Sequence, residues 1–211
     1  MPNKKAPDLT KRTKPLFAFF DVENVRNSVE EYGYIDLNYP KIIGWLKNKR
    51  SVSRIYLYAS AEPGDTIKKK KYLDLQKIPG CYVSIKRIMA YKQKPWPLET
   101  ICPSCQHSFV RKIYIKDHKK GNCDAEMTLD IVRFGVRKKY SGIIVFSGDG
   151  DFARVYEYVA EELKKPVILF APDKVPGKKR TSSRLKKLAN NGTIKLESLK
   201  GLMFHYGQKE E

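Results

Sequence analysis

Long hydrophobic runs are absent from this sequence. Hydrophobic residues make up 41% of its 211 residues, but no apolar run approaches the ~20 residues that a membrane-spanning helix needs. Residues 1–15 are polar and basic and lack the apolar middle of a signal peptide. We therefore expect an intracellular, cytoplasmic protein whose residues 1–15 form a disordered basic arm.

Acidic residues are scarce relative to basic ones. The chain has 23 aspartate and glutamate residues against 42 lysine and arginine residues, which gives a net charge of +19. This excess favours an anionic polymer as the partner, and nucleic acid is the commonest one. A basic surface that only keeps the protein soluble is the alternative. A membrane surface is least favoured, because the sequence contains no strongly amphipathic helix.

A glycine-rich phosphate-binding loop is also missing. The first apolar run is followed by Asp21-Val22-Glu23-Asn24, which contains no glycine. Such a loop is typical of nucleotide-binding proteins with Rossmann-like sheets. A small-molecule enzyme of that type, such as a phosphatase, is therefore the least favoured of the functions considered.

Short apolar runs alternate with helical patterns along most of the chain. The apolar runs are residues 16–21, 52–60, 81–88, 142–147 and 166–171. The helical patterns are residues 40–49; 65–77, which Asp65 can cap; 124–139, whose apolar positions include Leu129 and Val136; and 151–164, whose apolar positions include Tyr158. Continuous apolar runs are typical of strands that are covered on both faces. The alternation therefore predicts a single-domain α/β fold with a parallel, doubly wound sheet.

Aspartates stand where two of the predicted strands end. Asp21 ends the first apolar run, Asp149 and Asp151 end the fourth, and Asp124 opens a helical stretch. Ligands of such sheets bind outside the carboxyl ends of the strands. Carboxylate oxygens hold Mg²⁺ or Mn²⁺, and these ions support phosphodiester hydrolysis. The pattern therefore predicts one acidic metal site, with Asn24 nearby.

Each of these residues also has a purely structural explanation. Asp151 can be a helix N-cap, Asp21 an acid in a loop after a strand, and Asp124 a favourable acid in the first turn of a helix. Asn24 can orient a water or cap a helix. Asp130 lies on a different helix face from Asp124 and is expected to be structural.

Three motifs together resemble the NYN domain, a family of the PIN-like nuclease superfamily. They are Phe20-Asp21-Val22-Glu23-Asn24, Lys120-Gly121-Asn122-Cys123-Asp124 and Ser147-Gly148-Asp149-Gly150-Asp151-Phe152. The resemblance covers roughly residues 15–200, so we assign residues 16–200 to the domain and 201–211 to a tail. It implies a Rossmann-like sheet of central strand order 3-2-1-4-5.

The resemblance also implies a function. An acidic pocket would bind Mg²⁺ or Mn²⁺ and cleave RNA, and the acidic residues of the family fall on Asp21, Asp124, Asp149 and Asp151. Asn24 lies nearby. The position before Asp124 is usually a small aliphatic residue in the family, but here it is Cys123.

Residues 90–122 interrupt the alternation and contain two of the four cysteines. Cys102, Cys105, His118 and Cys123 follow the spacing Cys-x2-Cys-x12-His-x4-Cys, which predicts a structural zinc site that would stabilise the insertion. His107 competes with His118 as the histidine ligand. Free buried thiols and a disulfide are the alternatives. Cys81 lies in a predicted strand and is expected in the core.

Aromatic residues lie among the basic residues of the insertion. They are Tyr91, Trp96, Phe109 and Tyr114. Aromatic faces stack on unpaired bases while lysines contact phosphates, which favours single-stranded RNA over a duplex. Alternatively, the aromatic rings fill a small core of the insertion. The charge alone does not separate RNA from DNA.

The sequence therefore predicts a metal-dependent endoribonuclease. The alternative from another class is a non-catalytic adaptor that binds RNA or DNA through a degenerate nuclease pocket. All four acidic residues are present, which argues against a degenerate pocket.

Overall fold

The computed structural model describes residues 15–31, 34–91, 94–114, 118–171, 183–188, 193–195 and 203–205. The strands are β1 (Leu16–Asp21), β2 (Tyr34–Leu37), β3 (Val52–Ala61), β4 (Cys81–Arg87), β5 (Met89–Tyr91), β6 (Trp96–Ile101), β7 (Ser108–Ile113), β8 (His118–Lys120), β9 (Gly142–Phe146), β10 (Val167–Ala171), β11 (Thr193–Lys195) and β12 (Met203–His205). The helices are α1 (Val22–Glu31), α2 (Tyr39–Arg50), α3 (Thr66–Leu75), α4 (Asp124–Val136), α5 (Ala153–Glu157) and α6 (Ser183–Leu188). A 3₁₀ turn (Gly150–Phe152) precedes α5, and a π turn (Tyr158–Glu162) follows it.

The main sheet has six parallel strands in the order β11-β10-β9-β1-β3-β4. Counted along the chain, the five strands expected from the sequence lie in the order 3-2-1-4-5, so that expectation is confirmed. β11 extends the sheet beyond β10. Because β1 and β9 are neighbours, with Phe20 opposite Phe146, their carboxyl ends meet at one edge.

Each face of the sheet carries its own hydrophobic core. Along β1, Leu16, Ala18 and Phe20 point into the core beneath α1, α2 and α3. Phe17 and Phe19 point into the opposite core, which also contains residues of α4, α5 and α6. This alternation follows from the two-residue period of a strand. The predicted layer arrangement, with helices on both faces of a parallel sheet, is therefore present.

Helix starts follow the expected capping chemistry in part. The Asp65 side chain accepts a hydrogen bond from the Lys68 amide and caps α3, as the sequence predicts. Pro40 lies in the first turn of α2. The helical pattern of residues 124–139 was wrong for Leu129 and Val136, which are 62% and 56% exposed.

The insertion forms antiparallel strands instead of another βα unit. β5 pairs with β8, and β6 pairs with β7 in a two-stranded ribbon. The predicted arm at residues 1–15 lies outside the described residues apart from Pro15. In the predicted tail, β12 pairs antiparallel with β2. Among the helices that are described, none has the length and apolarity to cross a membrane.

Candidate active site

Asp21 lies at the carboxyl end of β1, on the same face of the strand as Phe17 and Phe19. Helices α4 and α5 cover this face of the sheet. Its Oδ1 accepts a hydrogen bond from the Asn24 amide at 3.1 Å, as a residue that caps α1 does. Its Oδ2 accepts a hydrogen bond from Ser147 Oγ at 3.2 Å. The carboxylate therefore ends β1, caps α1 and contacts the end of β9.

The segment after β9 is held against the end of β1. Ser147, which is buried, accepts a hydrogen bond from the Asp149 amide through Oγ at 3.2 Å. One hydroxyl thus bridges the Asp21 carboxylate and the Asp149 backbone. The Asn24 side chain also accepts a hydrogen bond, through Oδ1, from the Gly148 amide at 2.9 Å. The Asn24 side chain therefore connects two chain segments. It does not cap a helix, which was one of the two alternatives for this residue.

Asp149, not Asp151, caps the turn that follows. Asp149 Oδ1 accepts a hydrogen bond from the Asp151 amide at 3.0 Å. Asp151 lies inside the 3₁₀ turn with its side chain exposed. The alternative that Asp151 is the N-cap is wrong, and its carboxylate has no hydrogen bond or salt bridge among the described residues.

Asp124 is the first residue of α4 and is half-buried. Its Oδ2 accepts a hydrogen bond from Asn122 Nδ2. Cys123, at the N-cap position, makes no capping hydrogen bond through its side chain. Asp124 therefore faces the strand ends from the start of a helix, where a negative charge is favourable.

The carboxylates act on one another electrostatically. Burial raises the pKa of Asp21 to about 6. Hydrogen bonds from Asn24 and Ser147 lower this pKa, whereas the nearby Asp124 and Asp149 carboxylates raise it. Burial also raises the pKa of Asp124, and Asp149 and Asp151 contribute to that rise. Like charges raise each other's pKa only at short range. Asp21 therefore lies within electrostatic range of Asp124 and Asp149, and Asp124 within range of Asp149 and Asp151.

Basic residues near this site are paired with other acids. Lys86 Nζ lies 2.8 Å from Glu126 Oε1, and Lys68 Nζ lies 2.7 Å from Glu23 Oε1. Lys86 does lower the pKa of Asp124. Within the described residues, however, no lysine or arginine forms a salt bridge with any of the four aspartates. The site therefore holds a net negative charge with no cationic side chain bound to it.

A hard divalent cation matches this set of donors. Carboxylate oxygens are the ligands that Mg²⁺ and Mn²⁺ prefer, and a cation would relieve the repulsion that raises the pKa of Asp21 and Asp124. In the part of the chain that the structure describes, no three histidine, cysteine or acidic side chains lie close enough together to share one ion. The donor chemistry of the four aspartates therefore fits a hard divalent cation.

Tyr156, on α5, is a residue of this region that the sequence interpretation missed. It is 1% exposed and stacks on Phe152, with the ring centroids 5.9 Å apart. Its hydroxyl is buried and has no hydrogen-bond partner in the part of the chain that the structure describes. The helical pattern assigned Tyr158 to the apolar face, but Tyr158 is half-exposed. The spacing of Phe152, Val155, Tyr156 and Val159 would have identified the buried face.

Asp130 does not belong to the acidic site. Its Oδ2 accepts a hydrogen bond from the Tyr58 hydroxyl at 2.8 Å, and its Oδ1 lies 2.6 Å from Arg133 Nη2. The expectation that Asp130 is structural therefore agrees with its contacts.

Two cysteines lie in the turn of the β6–β7 ribbon. The Cys102 amide donates to the His107 carbonyl at 2.9 Å, and the Gln106 amide donates to the Cys102 carbonyl at 2.9 Å. Hydrogen bonds from the backbone of Cys105 and Ser104 to the Cys102 sulfur lower the pKa of that thiol. The turn therefore stabilises a thiolate at Cys102.

The other two cysteines are in the cores. Cys81 is buried in β4, as expected. Cys123 is buried, its Sγ donates to the Ala59 carbonyl at 3.1 Å, and burial raises the pKa of its thiol to about 11. Cys102, Cys105 and Cys123 are therefore not brought together as the spacing predicted, and the His118 side chain lies outside the described structure. All four cysteines are free thiols.

The aromatic residues of the ribbon are exposed. Trp96, Phe109 and Tyr114 are 66%, 47% and 79% exposed. The alternative that they fill a small core is therefore wrong for these three. Trp96 pairs with Ile113 and Thr100 pairs with Phe109 across the ribbon, which puts Trp96 and Phe109 on the same face.

Comparison with known proteins supports the fold and the family. A crystal structure of a protein of unknown function from Vibrio parahaemolyticus resembles the chain with a TM-score of 0.61 and 20% sequence identity, over 92% of this chain and 99% of that one. No curated protein matches. The family model of the NYN domain matches residues 16–197. The chain therefore belongs to the NYN domain family, whose members are generally nucleases.

Proposed function

We propose that this protein is a metal-dependent endoribonuclease that hydrolyses single-stranded RNA in the cytoplasm. The observation that carries the proposal is the position of Asp21 at the carboxyl end of β1, where burial, together with the carboxylates of Asp124 and Asp149, raises its pKa. Membership of the NYN family supports a nuclease.

In the proposed site, Asp21, Asp124, Asp149 and Asp151 hold one or two Mg²⁺ or Mn²⁺ ions. Such a cation lowers the pKa of a coordinated water and neutralises charge that develops on the phosphoryl oxygens. Ser147 holds the Asp21 carboxylate in place through its hydroxyl. Hydrolysis would leave a 5′-phosphate and a 3′-hydroxyl.

The β6–β7 ribbon supports a single-stranded substrate. Trp96 and Phe109 share one exposed face with Arg111, which pairs with Leu98 across the ribbon. Exposed rings stack on unpaired bases, and a nearby guanidinium contacts phosphate. The net charge of +19 favours the same partner.

We also propose a structural zinc ion at the ribbon turn. Cys102 and Cys105 follow the Cys-x2-Cys spacing, and the lowered pKa of Cys102 favours its thiolate form, which binds metal. His107 or His118 would supply a further ligand. Cys123 contacts the Ala59 carbonyl, so its thiol could bind this zinc ion only after a rearrangement.

A cleavage assay tests the proposed activity. Metal-free protein is incubated with a labelled single-stranded RNA while MgCl₂ or MnCl₂ is titrated, and the product ends are mapped. The variant Asp149→Asn removes one carboxylate charge and is expected to lower turnover by at least about a hundredfold, because the site loses a ligand. The control is Asp74→Asn, which changes an exposed aspartate of α3 that pairs with Lys77.

The assay also decides between the enzyme and the adaptor. Metal-dependent products from the wild type and from Asp74→Asn, but not from Asp149→Asn, would support the nuclease. RNA binding without metal-dependent products would instead support the non-catalytic adaptor.

A further inference from the structure

We propose that Tyr156 is a positioning residue of the acidic site, whose hydroxyl hydrogen-bonds the solvent shared by the carboxylates and their divalent cation. The inference rests on the proposed metal site and adds to it a residue that none of the three sequence motifs contains. It also makes the α5 helix part of the site.

Tyr156 belongs to the core on the side of the sheet that carries the segments of the acidic residues. It lies one helical turn after Phe152, on which it stacks, and Phe152 follows Asp151 in the 3₁₀ turn. Its core cluster also contains Cys123, the residue before Asp124, and Phe19, which precedes Asp21 on the same face of β1. Tyr156 therefore stacks on the neighbour of Asp151 and shares its core with the neighbours of Asp124 and Asp21.

The hydroxyl of Tyr156 has an unusual environment for a buried phenol. Buried tyrosine hydroxyls normally have a hydrogen-bond partner. Tyr140, on the same face of the sheet but at the amino end of β9, is equally buried and donates to the Ile131 carbonyl at 2.9 Å. Tyr156 has no such partner among the described residues.

The charges around the hydroxyl indicate what its partner is. Burial raises the pKa of Tyr156, and the carboxylates of Asp21, Asp149 and Asp124 raise it further. The phenol therefore stays protonated and lies within electrostatic range of three carboxylates. A protonated hydroxyl next to negative charge is a hydrogen-bond donor, and a water in the acidic pocket can accept its proton while donating to a carboxylate. Through that water, the hydroxyl would fix the direction of the metal ligands, as partners outside the coordination sphere do in known metal sites.

The variant Tyr156→Phe removes only the hydroxyl, and three readouts test its role. In metal-free protein, the melting temperature should be unchanged or higher, because the lost hydroxyl has no protein partner. Calorimetric titration of MnCl₂ into the same protein should show an affinity about tenfold weaker than that of the wild type. In the RNA cleavage assay, kcat should fall about tenfold at saturating Mn²⁺ with KM for RNA unchanged.

The variant Tyr140→Phe is the matched control. It removes the same atom from a buried tyrosine of the same core but breaks the hydrogen bond to Ile131. Its melting temperature should fall while its Mn²⁺ affinity stays that of the wild type.

The outcomes are distinct. Wild-type affinity for Mn²⁺ in Tyr156→Phe would overturn the role of Tyr156 and leave the proposed function intact. Loss of folded Tyr156→Phe protein would show that the hydroxyl serves the structure, and would also overturn it. A wild type that binds no Mn²⁺ would overturn the proposed metal site and, with it, this inference.

Discussion

Asn24 and Gly148 are joined by a hydrogen bond of 2.9 Å between the Asn24 side-chain oxygen and the Gly148 amide. The bond connects the first turn of α1 to the segment after β9. Together with the contact between Ser147 and Asp21, it fixes the ends of two neighbouring strands relative to each other. The geometry of the acidic site therefore depends on polar contacts as well as on the sheet that brings the strands together.

Replacement of Asn24 by alanine should loosen this connection. The Gly148 amide would lose its acceptor, and we expect a loss of about 1–2 kcal/mol in the free energy of unfolding. Weaker Mn²⁺ binding should accompany it, because Asp149 follows Gly148 directly. Urea unfolding and calorimetric titration measure the two effects. Asn27→Ala, at an exposed position of the same helix, is the control and should change neither the free energy of unfolding nor the Mn²⁺ affinity. Identical behaviour of the two variants would contradict the prediction.

The stability of the metal-free protein should fall as the pH rises through the range in which Asp21 titrates. The pKa of Asp21 is about 6 in the folded protein, against a reference value of 3.8. Between these pH values the folded state binds more protons than the unfolded state, so increasing pH favours unfolding. The shift of about two units corresponds to about 2–3 kcal/mol, lost between about pH 4 and about pH 7.

Asp21→Asn isolates this effect because asparagine does not titrate. Urea unfolding of both proteins across that pH range gives the difference in their free energies of unfolding, in which the contributions of groups that do not interact with Asp21 cancel. The wild type should lose stability relative to Asp21→Asn as the pH rises, and saturating Mn²⁺ should reverse the trend. A difference that is constant with pH would show that Asp21 is already ionised at pH 4.

The strands of the main sheet could be predicted from the sequence because each one is nearly continuously apolar. β1 shows why this works, since Leu16 to Phe20 are all buried, on alternating faces. α1 was not predicted, because Val22, Val25 and Val29 provide its buried face and β-branched residues favour strands over helices. The acidic residues were placed correctly at the sheet edge because β1 and β9 are neighbours, which the resemblance implied.

Individual side-chain roles were harder to predict. Two aspartates flank Gly150, and the sequence does not show which one caps the turn; the structure assigns the cap to Asp149. The zinc spacing likewise does not show on which side of the chain Cys123 lies, and its thiol points into the core. The partner of a buried hydroxyl, as at Tyr156, depends on three-dimensional neighbours and has no sequence signal.

The four cysteines should differ strongly in reactivity. Burial raises the pKa of both Cys81 and Cys123 to about 11, so their thiols should react slowly with iodoacetamide at neutral pH. Cys105 is exposed, and Cys102 has a lowered pKa, so both should react quickly.

Mass spectrometry of the peptides, sampled over time, gives the rate for each cysteine. Prior addition of Zn²⁺ should protect Cys102 and Cys105 if the ribbon turn binds zinc as proposed. Unchanged labelling of both residues in excess Zn²⁺ would contradict the zinc site, and rapid labelling of Cys123 in the folded protein would contradict its burial.

The exposed face of the β6–β7 ribbon should contribute to RNA affinity. Removal of the Trp96 ring by substitution with alanine should weaken binding of a single-stranded RNA about tenfold, within the range of one lost base–aromatic stack. The melting temperature should hardly change, because Trp96 is 66% exposed. Fluorescence anisotropy with a labelled oligonucleotide measures the affinity, with Asp149→Asn present in every protein to prevent cleavage. Val136→Ala, which removes an exposed apolar side chain at the end of α4, is the control. Equal RNA affinity of the two variants would show that RNA does not contact this face of the ribbon. The acidic site would then be the only region proposed to contact the RNA.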